Sequence, residues 1–202
     1  MGAENKPRIE AYIGAPGSGK STALKQLLMK EKPKRLIIID PMGEYGKYAQ
    51  PVPTMKELLT KCNQKTFAVS FITSRVNYEE QFETICDIAY TLGDMWLMPE
   101  ELQMFTKAGS APPSWTDCSL RGRHRGLTLI GATQRPAIID KNFFGGCTKI
   151  RTGRLNYKGD IVTMADVLNV PKDQVQNLLP FQYIEKDMST GIVTTGMVQK
   201  LK

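Results

Sequence analysis

The octapeptide Gly14–Ser21, GAPGSGKS, constrains this chain more than any other stretch. It fits G-x-x-x-x-G-K-[ST] at every position, and its surroundings fit as well. A strand-like run, RIEAYIG (8–14), leads into it. KSTALKQLLMKE (20–31) follows, with Ala23, Leu24, Leu27 and Leu28 on one helical face. Gly14, Gly17 and Gly19 let the backbone bend so that successive N–H groups turn inward around an anion. The helix from Lys20 adds the positive end of its dipole. The segment Gly14, Ala15, Pro16, Gly17, Ser18, Gly19, Lys20, Ser21 and Thr22 is therefore expected to cradle the phosphates of ATP. Lys20 would reach the β- and γ-phosphates, and the Ser21 hydroxyl would ligate Mg2+. The competing reading is a glycine-rich turn between a strand and a helix.

The apolar runs downstream alternate in kind. RLIIID (35–40) is a continuous β-branched run, the pattern of a parallel strand covered on both faces. TMKELLTKC (54–62) reads as a helix, TFAVSFI (66–72) as a strand and YEEQFETICDIAYTL (78–92) as an amphipathic helix. MWLM (95–98) is a short apolar strand, 101–123 a helix or loop, and LTLIGAT (127–133) another strand. This alternation predicts an α/β fold with a mostly parallel sheet between helices. Past residue 150 the pattern changes to helical stretches at 159–169 and 171–179. FQYIEKDMSTGIVTT (181–195) then reads as a hairpin turning at Asp187–Gly191. With 202 residues, 41% of them hydrophobic, the chain suits one domain. Its core is expected at about 8–155, with a small C-terminal helix-plus-hairpin appendage at about 156–202.

A phosphate loop binds nucleotide, but hydrolysis also needs an acid near the metal and a group that orients or deprotonates water. GDMWLMPEELQMF (93–105) places Glu100 and Glu101 directly behind an apolar strand. Glu100 would join Ser21 around the metal, and Glu101 would polarise the lytic water. Alternatively the two acids decorate a helix N-terminus, where the dipole favours them, with Pro99 fixing the entry. Gln134, at the end of LIGATQ, would face the γ-phosphate from the sheet's C-terminal edge. Asp40 and Glu44 follow another strand end and would either tune the metal and water or cap a loop. Trp96 is expected in the core and Trp115 in a loop.

Four stretches together resemble one family. GAPGSGKST is common to many ATPases. IIIDPMGEY (37–45) looks like the second-strand motif of the HerA branch. Glu100-Glu101 is similar to the pair that HerA-like proteins carry where most relatives have Asp-Glu. GRHRGLTLIGATQRP (122–136) resembles the FtsK-type segment without a gap. Over roughly 8–155 the chain thus resembles the FtsK/HerA superfamily of P-loop translocases. The resemblance implies a RecA-like core of the additional-strand, catalytic-glutamate type, a homo-oligomeric ring of six subunits, and ATP-driven movement of double-stranded DNA. Without the barrel or membrane segments of cellular members, the chain looks like the genome-packaging ATPases of viruses, whose partners include capsid or portal proteins. The same resemblance singles out Arg123 as an arginine supplied in trans. Arg121, Arg123 and Arg125 precede the strand ending at Gln134, on the side away from the same subunit's γ-phosphate. Contact with DNA or solvent is the alternative for them.

The net charge of +7 fits a polyanionic partner. The Pro/Ser/Gly-rich segment 106–125 could reach DNA phosphates through Lys107 or Arg121. Cys62, Cys86, Cys118 and Cys147 form no CxxC pair, so buried free thiols are expected rather than metal ligands. No apolar run approaches the ~20 residues of a membrane span. The polar start MGAENKPRIE has no secretory h-region, and Lys6 is a poor fit to a myristoylation signal. Cytoplasmic localisation, a host's if the source is viral, is the expectation. Competing functions are a filamentous-phage-type morphogenesis ATPase, a monomeric P-loop small-molecule kinase, and a nucleotide-gated binding module.

Overall fold

The strand that carries the phosphate loop, β1 (Arg8–Ile13), lies inside a nine-stranded sheet in a computed structural model that describes residues 8–201. The first seven residues of the polar start, Lys6 among them, fall outside the described residues. After β1 come α1 (Lys20–Glu31), β2 (Arg35–Ile39), β3 (Gln50–Val52), α2 (Met55–Cys62) and β4 (Phe67–Phe71). The middle of the chain forms α3 (Tyr78–Leu92), β5 (Trp96–Pro99), α4 (Pro113–Arg121) and β6 (Thr128–Thr133). The rest forms α5 (Asn142–Gly146), β7 (Lys149–Gly153), α6 (Lys158–Leu168), α7 (Lys172–Gln176), β8 (Gln182–Asp187) and β9 (Val193–Met197).

The strand order is β3-β4-β2-β5-β6-β1-β7-β8-β9. β1 to β7 are parallel, β8 pairs antiparallel with β7, and β9 pairs antiparallel with β8. β6 stands between β1 and β5, with Thr128 beside both Arg8 and Trp96. That inserted strand is the additional strand of the expected fold class. Alternation along β2 sends Ile37 and Ile39 to one core cluster and Leu36 and Ile38 to the other. All four are buried, because parallel strands are covered on both faces. The first face packs against α2, α3, α4, α6 and α7. The second packs against α1 and the segment around Tyr45 and Ala49.

Several expectations need correcting. The segment 106–125 is not an open loop. Lys107–Ser110 makes a tight turn, α4 comes after it, and Gly122–Arg125 forms a 3-10 turn. Proline at the start of α4 (Pro113, after Pro112) resembles loop composition, yet it is well tolerated where the helix has no N–H to satisfy. Trp115 on that helix is 1% exposed and packs between Phe82 and Phe143, so it is the core tryptophan. Trp96, at the start of β5, is only half-buried, with the Arg8 guanidinium 4.7 Å from its ring centre. The hairpin turns where expected. Asp187 Oδ1 accepts from the backbone N–H groups of Ser189 and Thr190, and Gly191 takes φ 73°. β8 pairs with β7, so the hairpin continues the central sheet. The sequence did not reveal β3, β7 or α5. β3 is three residues with a proline, an edge-strand composition. α5 is five residues, too short for a helical period.

Candidate functional site

At the C-terminal ends of β1, β5 and β6 lies a cleft of about 420 Å3. Ligands of open α/β sheets bind at this edge. The phosphate loop forms one wall through Ala15, Pro16, Gly17, Gly19, Lys20, Ser21 and Thr22. Gly14 and Ser18 are buried beneath it instead. Gly17 and Gly19 have φ 76° and 93°, which side-chain-bearing residues rarely adopt. A Cβ at Gly14 would meet the Ser18 hydroxyl at 2.2 Å. Two backbone bonds tie the loop to neighbouring strand ends: Gly14 N donates to Thr133 O at 3.1 Å, and Ala15 N to Arg154 O at 2.9 Å. α1 then starts with no side-chain cap and no acid in its first turn. By contrast, Thr54 caps α2 by accepting from Glu57 N. An uncapped helix start leaves backbone donors and a positive dipole end for an anion.

Facing the loop is a polar cluster. Pro99 ends β5, and Glu101 takes the left-handed conformation with φ 56°. Successive strand side chains point to opposite faces. The bend at Glu101 breaks that alternation, and both carboxylates reach Lys20. The Lys20 ammonium donates to Glu100 Oε2 at 2.8 Å and Glu101 Oε1 at 3.3 Å. Both glutamate side chains are 7% exposed. Behind them the chain makes a single 3-10 turn, Leu102–Met104, uncapped by Glu101. The acids therefore do not sit at an α-helix N-terminus. Gln134 Nε2 donates to Glu101 Oε1 at 2.8 Å. Gln103 Nε2 donates to Oε2 of Glu101, and Thr133 Oγ1 in turn donates to Gln103 Oε1 at 2.6 Å. Burial acts to lower the Lys20 pKa, but the two carboxylates outweigh it and hold the ammonium above the ordinary lysine range.

The second-strand motif also reaches this cluster. Asp40 accepts from Glu44 N and Tyr45 N, each at 3.0 Å, and from Ser70 Oγ at 2.7 Å. Of the two readings of Asp40, its bonds are those of a loop cap. Glu44 is exposed and lies 3.6 Å from the Lys25 ammonium. The capped turn delivers Tyr45, fully buried, whose hydroxyl donates to Glu100 Oε1. Burial first, and Glu100 second, push the Tyr45 pKa well up, so the phenol keeps its proton.

The three arginines before β6 lie at the opposite end of the sheet. Arg121 pairs with Asp117 at 3.1 Å, and Arg125 Nε donates to Tyr90 O at 2.9 Å. Arg123 is exposed, and among the described residues its guanidinium has only the His124 ring, at 3.2 Å. Tyr45, Gln103 and Phe181 were not singled out from sequence. Tyr45 and Gln103 do fall inside the quoted segments IIIDPMGEY and GDMWLMPEELQMF. Phe181 carried no signal beyond opening the hairpin.

Comparison with known proteins places the chain. No family model matches it. Protein P9 of Pseudoalteromonas phage PM2 is 30% identical over 180 residues, which span 81% of each chain. The chain belongs to the family of this phage protein. Solved structures agree on its fold. The genome packaging NTPase B204 of Sulfolobus turreted icosahedral virus 2, in complex with ATP-gammaS, matches with a TM-score of 0.79 at 17% identity. That match covers 96% of this chain and 98% of B204. VirB4 of Thermoanaerobacter pseudethanolicus matches with a TM-score of 0.72 at 13% identity, covering 100% of this chain and 92% of VirB4. The P9-family chain thus shares the mostly parallel α/β fold of the B204 NTPase, built around the phosphate loop that its sequence announced.

Proposed function

We propose that this protein hydrolyses ATP to move double-stranded DNA, and that it packages a viral genome into a preformed capsid as a ring of six subunits. One observation carries the enzymatic part: Lys20, Glu100, Glu101 and Gln134 meet in a single hydrogen-bonded cluster opposite an uncapped phosphate loop. The family and the packaging NTPase fold support the motor reading. The net charge of +7 supports a polyanionic partner.

The N-terminus of α1 and the loop amides bind the phosphates, and Lys20 moves from the glutamates to the β- and γ-phosphates. That exchange frees Glu101, which then orients a water toward the γ-phosphorus and takes its proton as the β–γ bridging bond breaks. Gln134 and Gln103 hold the Glu101 carboxylate in place meanwhile, each on one oxygen. The Ser21 hydroxyl and Glu100 are hard oxygen donors on the same cleft, the donor type that Mg2+ takes. Held there, such an ion would supply positive charge against the phosphates. Arg123, exposed at the far end of the sheet, is free to meet the nucleotide of a neighbouring subunit. The exposed turn at Lys107–Ser110 offers Lys107 to DNA phosphates. Among the described residues no helix is long and apolar enough to cross a membrane. The reading places the protein in the host cytoplasm and at a capsid vertex, against portal or capsid proteins.

The test is ATPase rate with and without duplex DNA of arbitrary sequence, beside the oligomeric mass. Duplex should stimulate turnover, and the stimulation should weaken as salt rises because phosphate contacts release counterions. Stoichiometric phosphoryl transfer to a small-molecule acceptor would establish a kinase instead.

A further inference from the structure

The polarity of the cleft has a consequence for the rest of the nucleotide. Sheet order around the loop is β5-β6-β1-β7-β8. The groups placed for hydrolysis, Glu101 and Gln134, come after β5 and β6, on one flank of β1. A triphosphate laid across the loop with its γ end there must send its ribose and base toward the other flank, over β7 and β8. From β6 to β8 is three strand spacings, about 14 Å, of the order of an extended nucleoside triphosphate. Phe181, which opens β8, lines the cleft on that flank.

We infer that Phe181 is the base-stacking wall of this site, against which the purine of a nucleoside triphosphate lies. The inference rests on the nucleotide reading above. Phe181 holds φ 66°, a left-handed conformation unusual for a bulky residue. Two backbone bonds enforce it: its N–H donates to Ser18 O of the phosphate loop at 3.1 Å, and its carbonyl accepts from Val198 N at 2.8 Å. The hairpin is therefore stitched to the loop at this one residue. The ring covers Gly19, where an added Cβ would meet it at 3.0 Å. It is only half-buried, so part of it is open to a ligand. The Lys200 ammonium stands 5.6 Å from the ring centre and steadies it from the C-terminal tail. A large apolar ring held at a strained position beside a phosphate loop, and left partly open, suits the flat face of a base. Every base has a π face, and the larger purine overlaps an aromatic ring more fully than a pyrimidine does.

The experiment measures equilibrium binding of ATP, CTP and inorganic tripolyphosphate to the wild-type protein and to Phe181→Leu, Phe181→Ala and Phe181→Tyr. Leucine keeps apolar bulk over Gly19 while removing the aromatic face, which guards against a general collapse of the loop. Phe181→Leu and Phe181→Ala should weaken ATP binding by roughly 5- to 150-fold. They should leave tripolyphosphate binding near wild type and shrink the preference for ATP over CTP. Phe181→Tyr should restore both. Equal losses for ATP and tripolyphosphate would make Phe181 a packing residue of the loop and overturn the inference, as would unchanged ATP binding. If the wild-type protein bound neither ATP nor tripolyphosphate, the nucleotide reading itself would fail and this inference with it.

Discussion

Replacing Tyr45 with phenylalanine removes one oxygen from a site where that oxygen holds a buried carboxylate. Tyr45 is fully buried, and its hydroxyl donates to Glu100 Oε1 while Lys20 holds Oε2. Phenylalanine fills the same volume, so cavity costs are small and the lost hydrogen bond dominates. A hydrogen bond to a charged group contributes about 1.5–3 kcal/mol. For a chain of 202 residues, each kcal/mol shifts Tm by about 2–4 °C, so Tyr45→Phe should melt ~3–12 °C below wild type. The catalytic effect should be separable from the thermal one. Glu100 would lose an anchor within reach of the phosphates, and a small misplacement there costs up to about 100-fold in rate. Assayed well below either melting point, the variant should bind nucleotide near wild-type affinity but show kcat lowered by roughly 10- to 100-fold. Unchanged Tm together with unchanged kcat would refute the idea that the second-strand motif acts through this hydroxyl.

The geometry predicts three further outcomes. Arg123→Ala and Glu101→Gln subunits, each inactive alone, should regain partial ATPase activity when mixed, because some interfaces would pair an intact Glu101 with a neighbour's intact Arg123. Verified mixed rings that stay silent, while wild-type subunits diluted into either mutant remain active, would remove Arg123 from the shared site. The thiols should resist alkylation in the native state at pH 8, since all four cysteines are buried, and burial pushes Cys62 up to about 11 against the opposing charge of Arg35. A thiol pKa raised in the folded state contributes stability that is intact below the unfolded value, about 8.5. Chemical denaturation midpoints should therefore fall progressively as pH rises from about 8.5 toward 11. A midpoint flat across that window would count against burial of the Cys62 thiol.

Local patterns in the sequence carried much of the fold and part of the site. GAPGSGKS identified its own strand and helix, and the run Leu36–Ile39 announced a strand buried on both faces. Glu100, Glu101 and Gln134 could be singled out as candidates because they follow strand ends, which in a parallel sheet line one edge, and there the structure brings them together with Lys20. Contacts between distant segments were not legible. Tyr45 meets Glu100 across 55 residues, and no periodicity records that meeting. Phe181 reaches the phosphate loop only because β8 is the second strand along from β1, an order set by tertiary packing. Trp115 was misplaced because Pro112 and Pro113 look like loop residues, although they begin a helix whose inner face is apolar. The left-handed bend at Glu101 had no glycine to announce it, yet it is what turns both acids toward Lys20.

The most direct test of the motor reading is displacement of a triplex-forming oligonucleotide from duplex DNA, monitored with ATP and the purified protein. A translocating ring should strip the third strand only when ATP is hydrolysed. Lys20→Ala should fail for want of productive nucleotide binding, and Glu101→Gln should bind ATP and duplex yet leave the triplex intact. Wild-type protein that hydrolyses ATP on duplex DNA but never displaces the third strand, or a Glu101→Gln variant that displaces it at the wild-type rate, would contradict the account.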